Sequence, residues 1–163
     1  MSKNATKHIH FKKSAARLYA IQALFQMEIS KLPLDEITAE FETHRIGARI
    51  DNYTYNEADL RMFRAIINNA VAQQGRIDKM TNQSLNDSWP LERIDPTLRA
   101  LFRAATSELL IQETPPKAVV NEFIEIAKAF FPTGREVKLV NGCLLYTSPS
   151  PRDVEESRMP SSA

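Results

Sequence analysis

Residues 98–110 read LRALFRAATSELL and decide the fold class of the chain. Apolar side chains recur in this stretch at steps of three and four residues, which is the period of a helix with one buried face. Asp95 and Pro96 come just before it, and these residue types favour the N-cap and the first position of a helix. We therefore predict a helix with one buried face that begins at Pro96.

The same period continues on both sides of this helix. We predict further helices over residues 14–29, 35–46 and 117–131, one starting at Asn56 and a last one starting at Glu136. Ser14 is a suitable N-cap for the first of them. Residues 47–55 read as a connecting loop, and a helix break near Gly75 is left open. The chain is therefore predicted to be all-α, with about six to seven helices.

The composition is that of an ordinary soluble domain: of 163 residues, 43% are hydrophobic and 25% charged. No apolar run approaches the roughly 20 residues that span a membrane, and the N-terminus lacks the apolar core of a signal peptide. We expect a cytoplasmic protein with no membrane contact. The single cysteine, Cys143, excludes an internal disulfide. His8 and His10 have no suggested third ligand, so we expect no metal and no cofactor.

The N-terminus is strongly basic. Residues 1–17 contain no acid and carry the basic side chains Lys3, Lys7, Lys12, Lys13 and Arg17. Such a segment can neutralise phosphates and release their counterions, which favours a nucleic-acid partner. Charge alone is equally compatible with a disordered, solubilising tail. We assign residues 1–13 to a flexible basic arm that precedes the helical domain.

No catalytic motif is present in the sequence, which has no glycine-rich phosphate loop, no GxSxG elbow, no HExxH and no CxxC. Glu122 and Glu125 lie three residues apart on a predicted helix, and paired carboxylates can act in acid–base catalysis. A solvated helix face explains this pair better. We therefore expect a binding protein rather than an enzyme.

Three stretches resemble the NusB family of transcription antitermination factors. They are ARLYAIQALFQME at residues 16–28, the helix at 98–110, and PPKAVVNEFIEIAK at 115–128 followed by KLVNG at 138–142. The three occur in the family's order and together account for most of residues 12–142. We therefore identify residues 14–142 as a NusB-like helical domain. The resemblance implies an all-α bundle of two packed subdomains.

The resemblance also implies a function. Members of this family bind the boxA element of ribosomal RNA leaders together with the ribosomal protein NusE. With RNA polymerase and other Nus factors, they suppress premature termination of transcription. Two alternatives stay open, namely the N-terminal NusB-like domain of a truncated ribosomal RNA cytosine methyltransferase and a helical scaffold that binds only protein.

Candidate site residues follow from the same resemblance. The RNA-binding candidates on the family's basic arm, first helix and later helices are Lys12, Lys13, Arg17, Arg103 and Lys117. For Arg103, a salt bridge or a packing role is equally compatible with the sequence. Leu98 falls where some relatives carry an acid at the NusE interface, so it is a candidate for partner contact, and a core role explains it equally well.

The end of the chain resembles translated sequencing adapter rather than protein. Read in frame, the transposon adapter of short-read libraries encodes residues 143–153 one for one, and a constant primer site that follows a barcode encodes residues 157–162. The segment is rich in Pro and Ser and has no apolar period, so we predict disorder from Cys143 onward. In this interpretation residues 143–163 are not native, and the last helix is truncated after Gly142.

Overall fold

The computed structural model describes residues 3–50, 53–54, 56–85 and 89–147, and nearly all the regular structure in these segments is helical. The helices are α1 (Lys3–Ser30), α2 (Leu34–His44), α3 (Leu60–Ala72), α4 (Gln74–Ser84), α5 (Pro96–Ile111), α6 (Pro116–Phe130) and α7 (Arg135–Thr147). Two short antiparallel strands, β1 (Arg49–Ile50) and β2 (Tyr53–Thr54), lie in the segment predicted as a loop. The all-α prediction is confirmed.

Helix α5 lies at the centre of the bundle. Residues 100–102 and 104–109 are all buried, so this helix is enclosed on every side rather than along one stripe. It packs against α1 and α3, and also against α4, α6 and α7. The division into two packed subdomains, which the family resemblance implies, stays a prediction.

Local capping residues set where two of the helices begin. The carboxylate of Asp95 accepts a hydrogen bond from the backbone N–H of Thr97 at 2.7 Å, so α5 starts at Pro96 as predicted. Asn56, however, is not the N-cap of α3. That position belongs to Asp59, which directly precedes α3 and whose carboxylate accepts from the N–H of Met62 at 3.0 Å.

Helix α1 starts far earlier than the sequence predicted. Ser14 lies inside this helix rather than at its start, and its hydroxyl donates to Glu122 of α6. The helix begins at Lys3 and includes residues 3–13, which were assigned to a flexible arm. These residues contain neither Pro nor Gly, the two residue types that most oppose a helix.

Helix α7 also differs from its prediction, because it continues past Gly142 to Thr147. Cys143, Leu144 and Thr147 are buried, and together with Val140 they fall at i, i+3, i+4 and i+7 on one helix face. The first five residues of the predicted disordered tail therefore extend the apolar stripe of the helix. Residues 148–163 lie outside the described segments, and the adapter origin of the tail stays a prediction.

The alternative left open at Gly75 is resolved in favour of a break. Helix α3 ends at Ala72 and α4 begins at Gln74, with Gln73 outside helical geometry at φ −115° and ψ 23°. Within the described segments, no helix is both long enough and apolar enough to cross a bilayer.

Candidate nucleic-acid interface

The N-terminal part of α1 presents cations with few nearby acids. We call residues 3–13 the basic segment. Among the described residues, no carboxylate lies within ion-pair distance of Lys3, Lys7 or Lys13, nor of Lys117 in the first turn of α6. Lys3, Lys7 and Lys117 are exposed, and Lys13 is half-buried. These four ammonium groups can therefore attract phosphates without first leaving an acidic partner.

Lys12 differs from these lysines because it already has a partner. Its Nζ lies 3.2 Å from Oε2 of Glu57, and the backbone carbonyl of Lys12 accepts from the N–H of Asp59 at 3.1 Å. The Glu57 side chain is 70% exposed, so this ion pair is weak and open to exchange with a phosphate.

Arg17 is placed inside the protein rather than at its surface. Its Nε lies 2.7 Å from Oε1 and 3.0 Å from Oε2 of Glu108, and the two side chains are only 3% and 4% exposed. Burial raises the pKa of the Glu108 carboxyl, and the charge of Arg17 opposes that rise. The guanidinium of Arg17 therefore joins α1 to α5, and in this structure it does not face solvent.

Glu122 links α6 to the base of the basic segment. One carboxylate oxygen, Oε2, accepts from the hydroxyl of Ser14 at 2.9 Å and lies 3.7 Å from Nη1 of Arg17, while Oε1 lies 3.2 Å from Nε2 of His10. The Glu122 side chain is 22% exposed, so the predicted solvated face is wrong for this residue. It is correct for Glu125, which is 70% exposed and pairs with Lys128.

Arg103 belongs to α5 and lies beside the C-terminal end of α1, where it contacts Glu28. It makes two parallel hydrogen bonds to Asp78, at 3.0 and 2.9 Å, and its Nη1 lies 3.3 Å from Glu28. Burial lowers the pKa of Arg103, but its bonds to Asp78 and the charges of Asp78 and Glu28 outweigh that effect and raise it. Glu28 is 16 residues from Lys12, or about 24 Å along a helix. The structure therefore does not bring Arg103 to the basic segment.

Leu98 is fully buried in the core, the role that the sequence left open for it. An exposed apolar surface lies instead on the outer face of α1. Two shallow cavities, of about 570 and 420 Å³, meet there at Gln22 and Phe130. Their apolar lining includes Phe11, Leu18, Phe25 and Ile29, which we call the α1 band. Phe11 is 49% and Ile29 60% exposed, so this band is available for contact.

The sequence did not identify Glu108 and Glu122 as the acids that hold α1. One signal for Glu108 was present, because a lone acid in a helix with buried residues all around it needs a partner. No comparable signal marked Glu122, since its position on an amphipathic helix is also compatible with solvent.

Known proteins resemble this chain in sequence and in structure. The model of the NusB family matches residues 14–147. The transcription antitermination protein NusB of Mesorhizobium japonicum is 48% identical over 134 residues, which cover 82% of this chain and 86% of that protein. The solved structure of T. maritima NusB superposes with a TM-score of 0.69 at 28% identity, over 87% of this chain and 96% of that one. A structure of the antitermination factors NusB and NusE in complex with double-stranded RNA is similar in fold, with a TM-score of 0.62, 18% identity and coverage of 82% and 93%.

Proposed function

Because the chain belongs to the NusB family, we propose that it is a non-catalytic, RNA-binding antitermination factor. In this proposal it binds boxA-type RNA of ribosomal RNA leaders together with NusE. It then acts in the cytoplasm with RNA polymerase and other Nus factors. The relatives that carry the family assignment are antitermination proteins rather than enzymes.

The observation that supports the RNA proposal is a set of lysines that form no close ion pair. Lys3, Lys7 and Lys13 on α1 and Lys117 on α6 have no carboxylate within ion-pair distance among the described residues. Lys12 joins this surface when a phosphate replaces the exposed carboxylate of Glu57. Each phosphate neutralised releases counterions from the RNA, which favours binding at moderate salt. We propose Lys12, Lys13 and Lys117 as RNA contacts and assign Arg17 and Arg103 to supporting roles.

The α1 band supports the second partner. Solvent-facing aromatic and aliphatic side chains in one row mark a protein-binding surface. A relative of similar fold has been crystallised with NusE. We propose that NusE docks on this band, and that Leu98 supports the band from the core rather than touching the partner.

The methyltransferase alternative receives less support. Relatives matched over more than four fifths of this chain are named antitermination proteins. The genomic reading frame beyond the codon for Gly142 tests the alternative directly, because an enzyme requires a long additional frame with a glycine-rich cofactor loop.

RNA binding is tested with a boxA-type RNA oligonucleotide and a scrambled oligonucleotide of the same composition. We expect the chain, mixed with purified NusE, to bind the boxA RNA more tightly, with an affinity that falls steeply as salt rises. Equal affinity for the two RNAs contradicts boxA recognition. Absence of binding at low salt contradicts the RNA function altogether.

Partner binding is tested by titration calorimetry with NusE. Ile29→Asp places a charge in the α1 band, whereas Leu145→Asp changes a residue of α7 with the same 60% exposure. We expect the first variant to weaken NusE binding and the second to bind like the unmodified chain. Equal effects of the two substitutions contradict the proposed docking surface.

A further inference from the structure

We propose that Glu122 is a positioning residue for RNA binding, whose carboxylate anchors the basic segment of α1 to α6. The inference rests on the proposed RNA-binding function. In this proposal the carboxylate of Glu122 fixes the position of the lysines in the basic segment. Glu122 itself has no contact with RNA in this proposal.

Glu122 contacts three residues of α1. His10, Ser14 and Arg17 follow one another at steps of four and three residues, so they share one face of α1. All three meet the same carboxylate, which accepts from Ser14 at 2.9 Å, lies 3.2 Å from His10 and lies 3.7 Å from Arg17. The ion pair with His10 forms only when His10 is protonated, whereas the bond from Ser14 does not depend on that charge.

The side chains of the basic segment have little burial of their own. Residues 3–11 are all exposed, and the first buried side chain of α1 is that of Ala15. A short helical segment without tertiary packing is only marginally stable in water. Two other contacts at its base, within the described part of the chain, are the surface pair of Lys12 with Glu57 and the bond from the N–H of Asp59 to the carbonyl of Lys12.

An anchoring role and a purely electrostatic role of Glu122 predict opposite changes in RNA affinity. An acid close to a cationic RNA-binding surface repels phosphates, so its removal by itself strengthens RNA binding. An anchor has the opposite effect, because its removal releases the segment and the RNA must then order the lysines on binding. The sign of the change in affinity therefore distinguishes the two roles.

The experiment compares four variants of the full chain. Glu122→Ala removes the anchor, Glu122→Gln keeps an oxygen that can accept from Ser14, and Ser14→Ala removes the donor while it leaves the charge. Glu125→Gln is the matched control, since it removes an acid one turn away on α6 that contacts Lys128 rather than α1. The readouts are boxA RNA affinity, amide hydrogen exchange of residues 3–13 and the melting temperature.

We expect Glu122→Ala to weaken RNA binding about tenfold, as for the loss of one charge-assisted hydrogen bond, and to speed exchange in residues 3–13. Glu122→Gln and Ser14→Ala should show smaller changes in the same direction, and Glu125→Gln should bind as tightly as the unmodified chain or more tightly. The proposal is overturned if exchange in residues 3–13 is unchanged in Glu122→Ala and Ser14→Ala, or if these variants bind RNA more tightly. If the unmodified chain binds no RNA, the proposed function fails, and amide exchange alone then decides the anchoring role.

Discussion

Arg17 and Glu108 form an ion pair that is almost completely withdrawn from solvent, with Nε of the arginine 2.7 Å from Oε1 of the glutamate. The residues are 91 positions apart in the chain, and their pairing joins α1 to the central helix α5. A buried pair of this kind is sensitive to the loss of one partner, because the other is then left as an uncompensated charge.

We predict that Arg17→Met destabilises the fold by about 3–5 kcal/mol. The double variant Arg17→Met with Glu108→Leu should lie close to the unmodified chain, since neither charge remains buried. Urea denaturation with linear extrapolation measures both free energies of unfolding. A single variant as stable as the double variant contradicts the buried-pair account.

The RNA surface is tested lysine by lysine. We predict that Lys13→Ala and Lys117→Ala each weaken boxA RNA binding and each reduce the slope of log affinity against log salt by about 0.7, the value for one lost phosphate contact on a single strand. Lys128→Ala is the control, because Lys128 lies on the same helix as Lys117 but pairs with Glu125 at 2.8 Å. If the slope of log affinity against log salt is equal for all three variants, Lys13 and Lys117 are not part of the interface.

The carboxyl group of Glu28 is predicted to make the stability of the fold depend on pH. The hydrogen bonds from Arg99, together with the charges of Arg99, Arg103 and Lys31, lower the pKa of Glu28 below its ordinary value of 4.5, although burial acts in the opposite direction. A carboxyl with a lowered pKa stabilises the fold above its ordinary value, and that contribution is lost as the pH falls through the lowered value.

We therefore predict that Glu28→Gln destabilises the protein at pH 7 by about 1–3 kcal/mol, and that this difference shrinks as the pH falls below 4.5. Urea denaturation at neutral and at acidic pH measures it. Glu36→Gln serves as control, since Glu36 is exposed and has no ion pair among the described residues. A difference that is constant with pH contradicts the role of the Glu28 charge.

The end of α7 provides a test of the structure itself. A chain that stops after Gly142 lacks Leu144, which is fully buried, and Cys143, which is 3% exposed. We predict that it is less stable than a chain that stops after Thr147, by about 1.5–3 kcal/mol for the leucine alone. Thermal unfolding of the two chains measures the difference, and equal melting temperatures mean that residues 143–147 do not pack as described.

Local features of the sequence predicted the helices well and the contacts between them poorly. The start of α5 follows from Asp95, Pro96 and the apolar period after them, all within one short stretch. Glu122, by contrast, meets Ser14 across 108 positions of the chain, and no local period reports such a pairing. The end of α7 was missed for a different reason, because the Pro and Ser content of residues 143–163 indicated disorder from Cys143, although Cys143 and Leu144 continue the apolar stripe of Val140.

The site residues show the same division. The charges in the sequence correctly indicated a basic N-terminus, but they did not distinguish Arg17 from the lysines as a candidate for RNA contact. Only the fold shows that this guanidinium is enclosed with Glu108, while Lys13 and Lys117 have no carboxylate within ion-pair distance among the described residues. Burial separates these cations, and it depends on which helices pack together.

The continuity of α1 has a consequence for how two partners affect each other. A single helix of 28 residues, about 42 Å long, carries the basic segment near one end and Ile29 of the α1 band near the other. A partner that steadies one end reduces the entropy that the second must lose when it orders the rest. By thermodynamic reciprocity, any factor by which NusE raises the affinity for RNA is the factor by which RNA raises the affinity for NusE.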